Sequence, residues 1–238
     1  MYKIYLYKIK LLDPLFYSRE GLSSSLTVPY LHATAVNFAV KNALNIDRKE
    51  HPYLVSDDDG ISRDNPRYKN SLVCDDFYFT PARLITPLKY FPEVTKGEND
   101  GFIFKTKPGE VLQAGTLNYI SPESIFEGFL IERKAYKWPK IIRLGSFRGK
   151  AILELIELEL ITICKFNIIV SHPVDPLVTD VKKGVAIAMF PYPIVENAEC
   201  SKCVITKLKG RTFRVAFPSL WELPNIKHVK SSKDAIIL

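Results

Sequence analysis

The first twelve residues constrain the fold most, because they form a strand-like segment that is apolar on both faces. Large apolar or aromatic side chains occupy odd and even positions alike: Ile4, Tyr5, Leu6, Tyr7, Ile9 and Leu11. A strand reads this way when both of its faces are buried. Asp13-Pro14 closes the pattern. The segment therefore predicts a central strand of a sheet.

Most of the remaining chain also predicts strands, and one segment predicts a helix. Residues 30–44 carry apolar side chains at helical spacing: Leu31, Ala35, Phe38, Ala39 and Ala43. Strand-like segments follow at 77–80, 84–86, 111–120, 126–133 and 151–170, and residues 203–217 form a hairpin around Lys209-Gly210. A strand, a helix and then antiparallel strands are typical of an α+β fold. We expect one domain over 1–238, with a C-terminal basic hairpin and tail over 191–238.

Residues 84–107 predict a β-hairpin that protrudes from this core. One arm contains Lys89-Tyr90-Phe91, the polar tip covers 95–101, and the second arm covers 102–107. The tip is too long for a minimal two-residue turn. Lys89, Lys105 and Lys107 accompany the aromatic residues of the arms, a combination that suits an arm reaching over RNA. The alternative is that these aromatic residues belong to an ordinary core.

The net charge of +7 is concentrated in two segments that contain no acidic residue. Residues 133–153 carry seven cations and residues 201–217 carry five, and without these twelve the chain would have a net charge of −5. Clustered cations are the electrostatic signature of a protein that binds a polyanion. Two solvated faces are the alternative for charge taken alone.

The sequence offers little that predicts catalysis, a cofactor or a metal. The four histidines, His32, His51, His172 and His228, are far apart, and no phosphate-binding loop, nucleophile elbow or zinc-protease motif occurs. Cys200-x-x-Cys203 is half of a zinc site, and the alternatives are a local disulfide or two free thiols. The beginning of the chain resembles no secretory signal and no apolar run is long enough to span a membrane. We expect a cytoplasmic protein with no membrane partner.

The most distinctive local motif lies within the first basic segment. Residues 141–151 combine two glycines, a hydroxyl, an aromatic ring and cations: Arg143, Gly145, Ser146, Phe147, Arg148, Gly149 and Lys150. Glycines let a backbone approach a phosphate closely, and free amides there supply hydrogen-bond donors. Arg and Lys neutralise phosphates, and Phe147 is suited to stack on a base. We predict an RNA-binding site at these residues.

Three groups of segments, in this order and spacing, resemble one protein family. They are Leu12–Glu20 with Pro29–His32, then Tyr78–Ala82, then Ile142–Ala151 with His172–Leu177. Together they resemble the Cas-five type subunit of type I-D CRISPR interference complexes (Cascade), over about residues 2–190. None of these motifs is catalytic, and their order carries the match.

The resemblance implies an RRM-like (ferredoxin-like) core of the RAMP superfamily with a β-hairpin thumb. It further implies a subunit that caps the five-prime handle of the crRNA and contacts Cas-seven type backbone subunits and the Cas-ten type large subunit. Residues 145–150 would be the handle-phosphate site, and residues 84–107 the thumb. Target DNA near the protospacer-adjacent motif is a further expected partner. The resemblance does not cover the basic hairpin at 203–217, for which three roles stay open: tracking RNA, contacting target DNA or facing solvent. The alternative function is a metal-independent endoribonuclease that processes precursor crRNA through His32 or His172.

Overall fold

A computed structural model describes residues 2–17, 24–46, 76–96, 114–164, 166–189 and 191–224. These residues form fifteen strands and one helix, α1, over Ala33–Ala43. The first eight strands are β1 Lys3–Leu11, β2 Ser24–Leu26, β3 Tyr30–Leu31, β4 Phe77–Phe79, β5 Ala82–Leu84, β6 Tyr90–Lys96, β7 Ala114–Ile120 and β8 Ile125–Glu132. The others are β9 Ile141–Leu144, β10 Gly149–Ile163, β11 Ile168–Ile169, β12 Val181–Ile187, β13 Ile194–Cys200, β14 Cys203–Leu208 and β15 Arg211–Ala216.

A nine-stranded sheet organises the fold around β1. Its order is β15-β14-β10-β1-β8-β5-β3, with β4 also paired to β8 and β9 also paired to β10. β1 pairs in antiparallel fashion with β10 on one side and with β8 on the other. The prediction of a central N-terminal strand is therefore confirmed.

Protein covers both faces of this sheet, because the side chains of β1 alternate between two clusters. Tyr7 and Ile9 enter a cluster that also contains Val36 and Val40 of α1. Ile4 enters the other cluster, and buried residues from the end of the chain cover it: Val204, Phe213, Val215, Phe217 and Trp221. The apolar pattern on both faces of β1 thus has a direct structural cause.

The helix forms where it was predicted, but the predicted buried face is wrong. Its buried face includes Val36, Asn37 and Val40, whereas Phe38 is only half-buried. Leu31, which set the predicted phase, belongs to β3 instead. Asn37 bonds to the backbone of Phe79 in both directions, at 2.7 and 2.9 Å. This satisfied polar contact attaches the helix to β4, so an apolar periodicity could not reveal it.

The order of the elements confirms the expected α+β class. The fold is poor in helix, since α1 is the single α-helix of the described residues. That helix is too short to cross a membrane, and the described part of the chain contains none that could. The strands predicted around 77–80, 111–120, 126–133 and 151–170 and the hairpin at 203–217 are all present. Residues 47–75, and the predicted tail from 225 onwards, lie outside the described residues.

The protruding hairpin has different arms from those predicted. β6 pairs with β7 in antiparallel register, from Tyr90 opposite Ile120 to Lys96 opposite Ala114. β2 adds to this pair as a parallel strand. The predicted second arm, 102–107, lies outside the described residues, as does most of the predicted tip. The sequence predicted strands over both 102–107 and 111–120, and only the register distinguishes the partner of β6.

Candidate nucleic-acid interface

The predicted glycine motif is the turn of a β-hairpin. β9 and β10 pair in antiparallel fashion from Ile141 opposite Ile152 to Leu144 opposite Gly149, and residues 145–148 connect them. Gly145 has φ +76° and Arg148 has φ +55°. Both values lie in the left-handed region, which costs an arginine conformational energy that glycine does not incur.

Backbone amides of this turn are used inside the protein. The bonds run from Ser146 N to Phe16 O at 2.8 Å, from Arg148 N to Gly145 O at 3.1 Å, and from Lys150 N to Asp13 Oδ2 at 2.7 Å. The expectation of free amides is therefore wrong for these three. Any anion that binds here must use mainly the side chains.

The two glycines make room for neighbouring backbone and side-chain atoms of the protein itself. A Cβ on Gly145 would lie 2.7 Å from the carbonyl oxygen of Phe16, and one on Gly149 would lie 3.2 Å from Cβ of Asp13. Real Cβ atoms do not tolerate the first of these distances. Close approach does explain the glycines, but the approaching group is the segment after β1.

The cations of the motif lie exposed at one end of the main sheet. Arg143 and Lys150 are opposite each other in the β9–β10 ladder, and both are exposed, as is Arg148 in the turn. The Arg143 guanidinium donates to the carbonyl oxygen of Arg148 at 3.2 Å. Ser146 is exposed as well. This arrangement can neutralise closely spaced phosphates.

Phe147 is an exposed aromatic ring supported by two buried ones. Its side chain is 63% exposed, whereas Phe16 is 4% and Tyr119 is 7% exposed. The Phe147 ring stacks on Phe16 at 5.8 Å between centroids and lies 5.9 Å from Tyr119. The ring is thus held by its inner contacts while its outer side faces solvent, which suits stacking on a base.

The glycine turn and the β6–β7 hairpin meet around residues 15 and 16. Leu15 and Ile120 exchange two backbone hydrogen bonds of 2.9 Å, next to Tyr119. Lys89 lies exposed at the base of β6, and its carbonyl oxygen accepts from Ser121 N at 3.0 Å. Lys89 therefore lies on the same side of the molecule as the turn. Lys105 and Lys107 are outside the described residues.

Other residues that shape this site were not predicted as part of it. Asp13 was predicted to close the first strand and Tyr119 to lie in the strand-like segment 111–120, and neither these two nor Phe16 was assigned to the site. Asp13 holds the turn through Lys150 N, and the two aromatic residues support Phe147. The signal that was available was the presence of Asp13 and Phe16 in the first segment of the resemblance.

Acidic residues balance the charge beside this cluster. Lys8 lies opposite Glu154 on one side and Glu127 on the other, in the register of the sheet. Lys10 forms an ion pair with Glu123. Around β1, the positive surplus therefore lies at the end of the sheet, at Arg143, Arg148 and Lys150.

The two described histidines have structural partners. His32 and His172 are 2% and 3% exposed, and burial lowers the pKa of each to about 4. His32 Nδ1 accepts from Thr34 N at 3.1 Å at the start of α1. His172 Nε2 accepts from Ala216 N at 3.1 Å. Neither ring lies at the surface where an RNA strand could reach it. His51 and His228 lie outside the described residues.

The cysteines pair differently from each predicted alternative. A disulfide joins Cys164 to Cys203, at the point where β10 and β14 meet. Cys200 is a buried free thiol, and burial raises its pKa to about 12. Both the local Cys200–Cys203 bond and the pair of free thiols are therefore wrong, because the sheet brings Cys164 next to Cys203. No cluster of metal-ligating side chains occurs in the described ranges.

A family model for the type I-D CRISPR-associated protein Cas5/Csc1 matches residues 2–221. The chain belongs to this family. The match extends beyond residue 190, where the resemblance had ended, and includes the β14–β15 hairpin. No curated protein matches the chain.

Solved structures similar to this chain include CRISPR-associated proteins of other types. One is a chain of a type III-B Cmr-beta complex bound to cognate target RNA, with a TM-score of 0.41 and 14% identity. That match covers 66% of this chain and 61% of the other, which is less than two thirds of its length. Another is oligomeric Cmr4 from Pyrococcus furiosus, with a TM-score of 0.33, 11% identity and coverage of 66% and 99%. A third, from Cmr-beta with target RNA and AMPPnP, has a TM-score of 0.39, 11% identity and coverage of 88% and 86%.

Proposed function

We propose that this Cas5/Csc1-family chain is a non-catalytic, crRNA-binding subunit of a type I-D interference complex. In this role it caps the five-prime handle of the crRNA and joins Cas-seven type backbone subunits to the Cas-ten type large subunit, near target DNA. Family membership supports the assignment to a type I-D system. The observation that carries the RNA-binding role is the cluster of exposed cations beside the supported Phe147 ring.

The strand order supports a ferredoxin-like core, which is the finer part of the fold assignment. β4 runs parallel to β1, because both are antiparallel to β8, and α1 lies between them in sequence. β10, β1, β8 and β4 then correspond to the order four-one-three-two of a βαββαβ unit. In place of a second helix, Tyr136 and Trp138 pack against Phe77 between β8 and β9.

The covered sheet argues for RNA binding at the rim of the molecule. In an RRM, bases stack on aromatic side chains of an open sheet face. Here Ile4, Leu6 and Phe129 of the central strands are buried in a cluster with Phe213 and Phe217. RNA would therefore contact the end of the β9–β10 hairpin and the neighbouring base of β6, where exposed cations and Phe147 lie.

The described histidines favour a binding role over the endoribonuclease alternative. A histidine acting as general base must reach its substrate. His32 and His172 are instead buried, with lowered pKa values and backbone partners.

Binding of single-stranded RNA to the purified chain tests the proposal. Fluorescence anisotropy with a labelled repeat-derived RNA would compare the wild type with Arg143→Ala/Lys150→Ala. If each cation neutralises one phosphate, the slope of log affinity against log salt should fall by about 1.4. Lys182→Ala/Lys183→Ala on β12 is a matched control, since it also removes two exposed strand cations. Equal affinity and slope in both double variants and the wild type would contradict the proposal, and RNA cleavage by the chain would favour the alternative.

A further inference from the structure

The β14–β15 hairpin carries the second acid-free basic segment, which the proposed RNA site does not use. It lies at the edge of the nine-stranded sheet, next to β10. Residues 201–217 contain five cations and no acidic residue: Lys202, Lys207, Lys209, Arg211 and Arg214. Their positions in the hairpin show which of them a ligand could contact.

Three of these cations lie near the exposed end of the hairpin, with Lys207 on the opposite face from Arg211. Lys207, Lys209 and Arg211 are all exposed. Lys209 is in the turn. Arg211 begins β15 and lies opposite Leu208 of β14. Lys202, by contrast, lies at the other end and donates through Nζ to Ser219 O at 2.8 Å.

The geometry of the turn presents this charge outward. Lys209 has φ +46° and Gly210 has φ +84°, and no atom lies within 4 Å of the position a Gly210 Cβ would take. Two-residue hairpin turns with positive φ favour Asn or Asp followed by Gly. The left-handed φ of Lys209 costs conformational energy, as does that of Arg148 in the turn between β9 and β10.

Arg211 is oriented by an aromatic neighbour. Its guanidinium lies 5.3 Å from the centre of the Phe213 ring. A contact with the face of a ring restricts the guanidinium while leaving its N–H edges available for hydrogen bonds to phosphate. Glu159 lies opposite Lys207 in the β10–β14 ladder, so the positive surplus is at Lys209 and Arg211.

The two basic turns lie along one strand and are separated by a region of balanced charge. Gly149 begins β10 beside the first turn, and Glu159 marks where β14 joins it. Ten residues of β10, at about 3.3 Å each, separate Gly149 from Glu159, so the two turns lie about 30 Å apart. Between them, Lys8 is flanked by Glu127 and Glu154. The two clusters are therefore separate sites.

We propose that Lys209 and Arg211 form a second phosphate-binding site for the same single-stranded RNA. The site rests on the proposed function, because one RNA strand would span both turns. A specific protein interface usually has an apolar centre. Leu208 is half-buried, and the large exposed apolar side chains of the described residues lie outside this hairpin. A group of exposed cations without apolar surroundings suits a phosphate backbone better.

Two lengths of RNA test this inference on the full chain. The RNAs have about 4 and about 20 nucleotides, so that only the longer one can reach both sites. The variant Lys209→Asn/Arg211→Ala removes the charge, and asparagine keeps a residue that the turn favours. We expect about tenfold weaker binding of the longer RNA, a salt slope lower by about 1.4, and unchanged binding of the shorter RNA.

Controls separate the failure of this inference from the failure of the proposed function. Lys209→Arg keeps the charge and leaves Arg211 on Phe213, so it should bind the longer RNA like the wild type, and thermal unfolding checks that each variant is folded. Unchanged binding of the longer RNA by the neutral variant would overturn the second site. If the neutral variant lost binding of double-stranded DNA but not of RNA, the second RNA site would also be overturned, in favour of a contact with duplex DNA. If the wild type binds neither RNA, the proposed function itself fails.

Discussion

The hairpin turns at residues 145–148 and 209–210 use the same backbone feature in opposite surroundings. Each places a cation, Arg148 or Lys209, in the left-handed region next to exposed cations. The first turn packs against Phe16 and is bonded through Asp13, whereas no atom approaches Gly210 within 4 Å. The comparison shows that one local conformation can be imposed by tertiary packing in one place and by turn chemistry alone in another.

Replacing the turn glycines should reveal this difference most strongly. Gly145→Ala should lower the free energy of unfolding by about 4 kcal/mol, since its Cβ meets the Phe16 carbonyl and the φ is left-handed. Gly210→Ala should cost only about 1 kcal/mol, from φ alone. Urea unfolding of both variants measures the contrast. Equal losses would mean that the first turn is not held by its packing.

Acid should weaken the attachment of the second hairpin through His172. Its folded pKa of about 4 lies below the ordinary value of 6.5, so only the unfolded chain takes up the proton between these values. Stability should therefore be full above pH 6.5 and decrease towards pH 4, by about 3 kcal/mol for this group. The pKa of His32 is lowered as well, so His32 adds to the loss of stability in acid.

The variant His172→Gln separates the two histidines. In this variant only His32 should take up a proton on unfolding, so stability should depend less on pH. Urea unfolding at several pH values measures this dependence. The Ala216 amide, which donates to His172, should also exchange faster with solvent. His32→Gln is the matched control, since it removes the other uptake and leaves Ala216 protected. A dependence on pH that His172→Gln leaves unchanged would count against this account.

Phe147→Ala should affect RNA binding more than stability. Losing a stacked base costs about 1–3 kcal/mol, so we expect roughly tenfold weaker binding of single-stranded RNA. Phe147→Trp should retain binding, and its fluorescence should change when RNA is added. Phe166→Ala removes an 81% exposed ring elsewhere and serves as the control. If Phe147→Ala binds RNA as well as the control, the ring does not stack on a base.

Asp13→Ala should have the smallest effect. It removes the bond from Lys150 N to Asp13 Oδ2, and we expect a loss of about 1 kcal/mol in the free energy of unfolding. The variant also removes a negative charge beside Lys150, so RNA affinity should rise or stay constant if the turn remains in place. A fall in affinity, with the fold intact, would show that Asp13 positions the turn for RNA.

Local patterns were sufficient where a structural element can be recognised from its own residues. The apolar residues on both faces of β1 predicted its central place, and Lys209-Gly210 predicted the turn between β14 and β15. The two acid-free segments also identified where the positive charge would accumulate. The resemblance in residues 12–20, 29–32, 78–82, 142–151 and 172–177 indicated the family that the match over residues 2–221 shows.

Pairings between distant residues could not be predicted in the same way. The partner of β6, the buried face around Asn37 and the disulfide between Cys164 and Cys203 each depend on a contact made in three dimensions. Several strand-like segments fit β6 equally well by their own pattern. Register and burial select one of them only after the sheet has formed.

The sequence by itself therefore determined a β-rich, locally basic chain with a central N-terminal strand and a glycine-containing turn. The tertiary structure decided what that turn contacts: the glycines accommodate Phe16 and Asp13, and three amides are used inside the protein. It also placed Tyr119 beneath Phe147. The physical reason is that alternation and charge are properties of neighbouring residues, whereas close approach and stacking join residues that are distant along the chain.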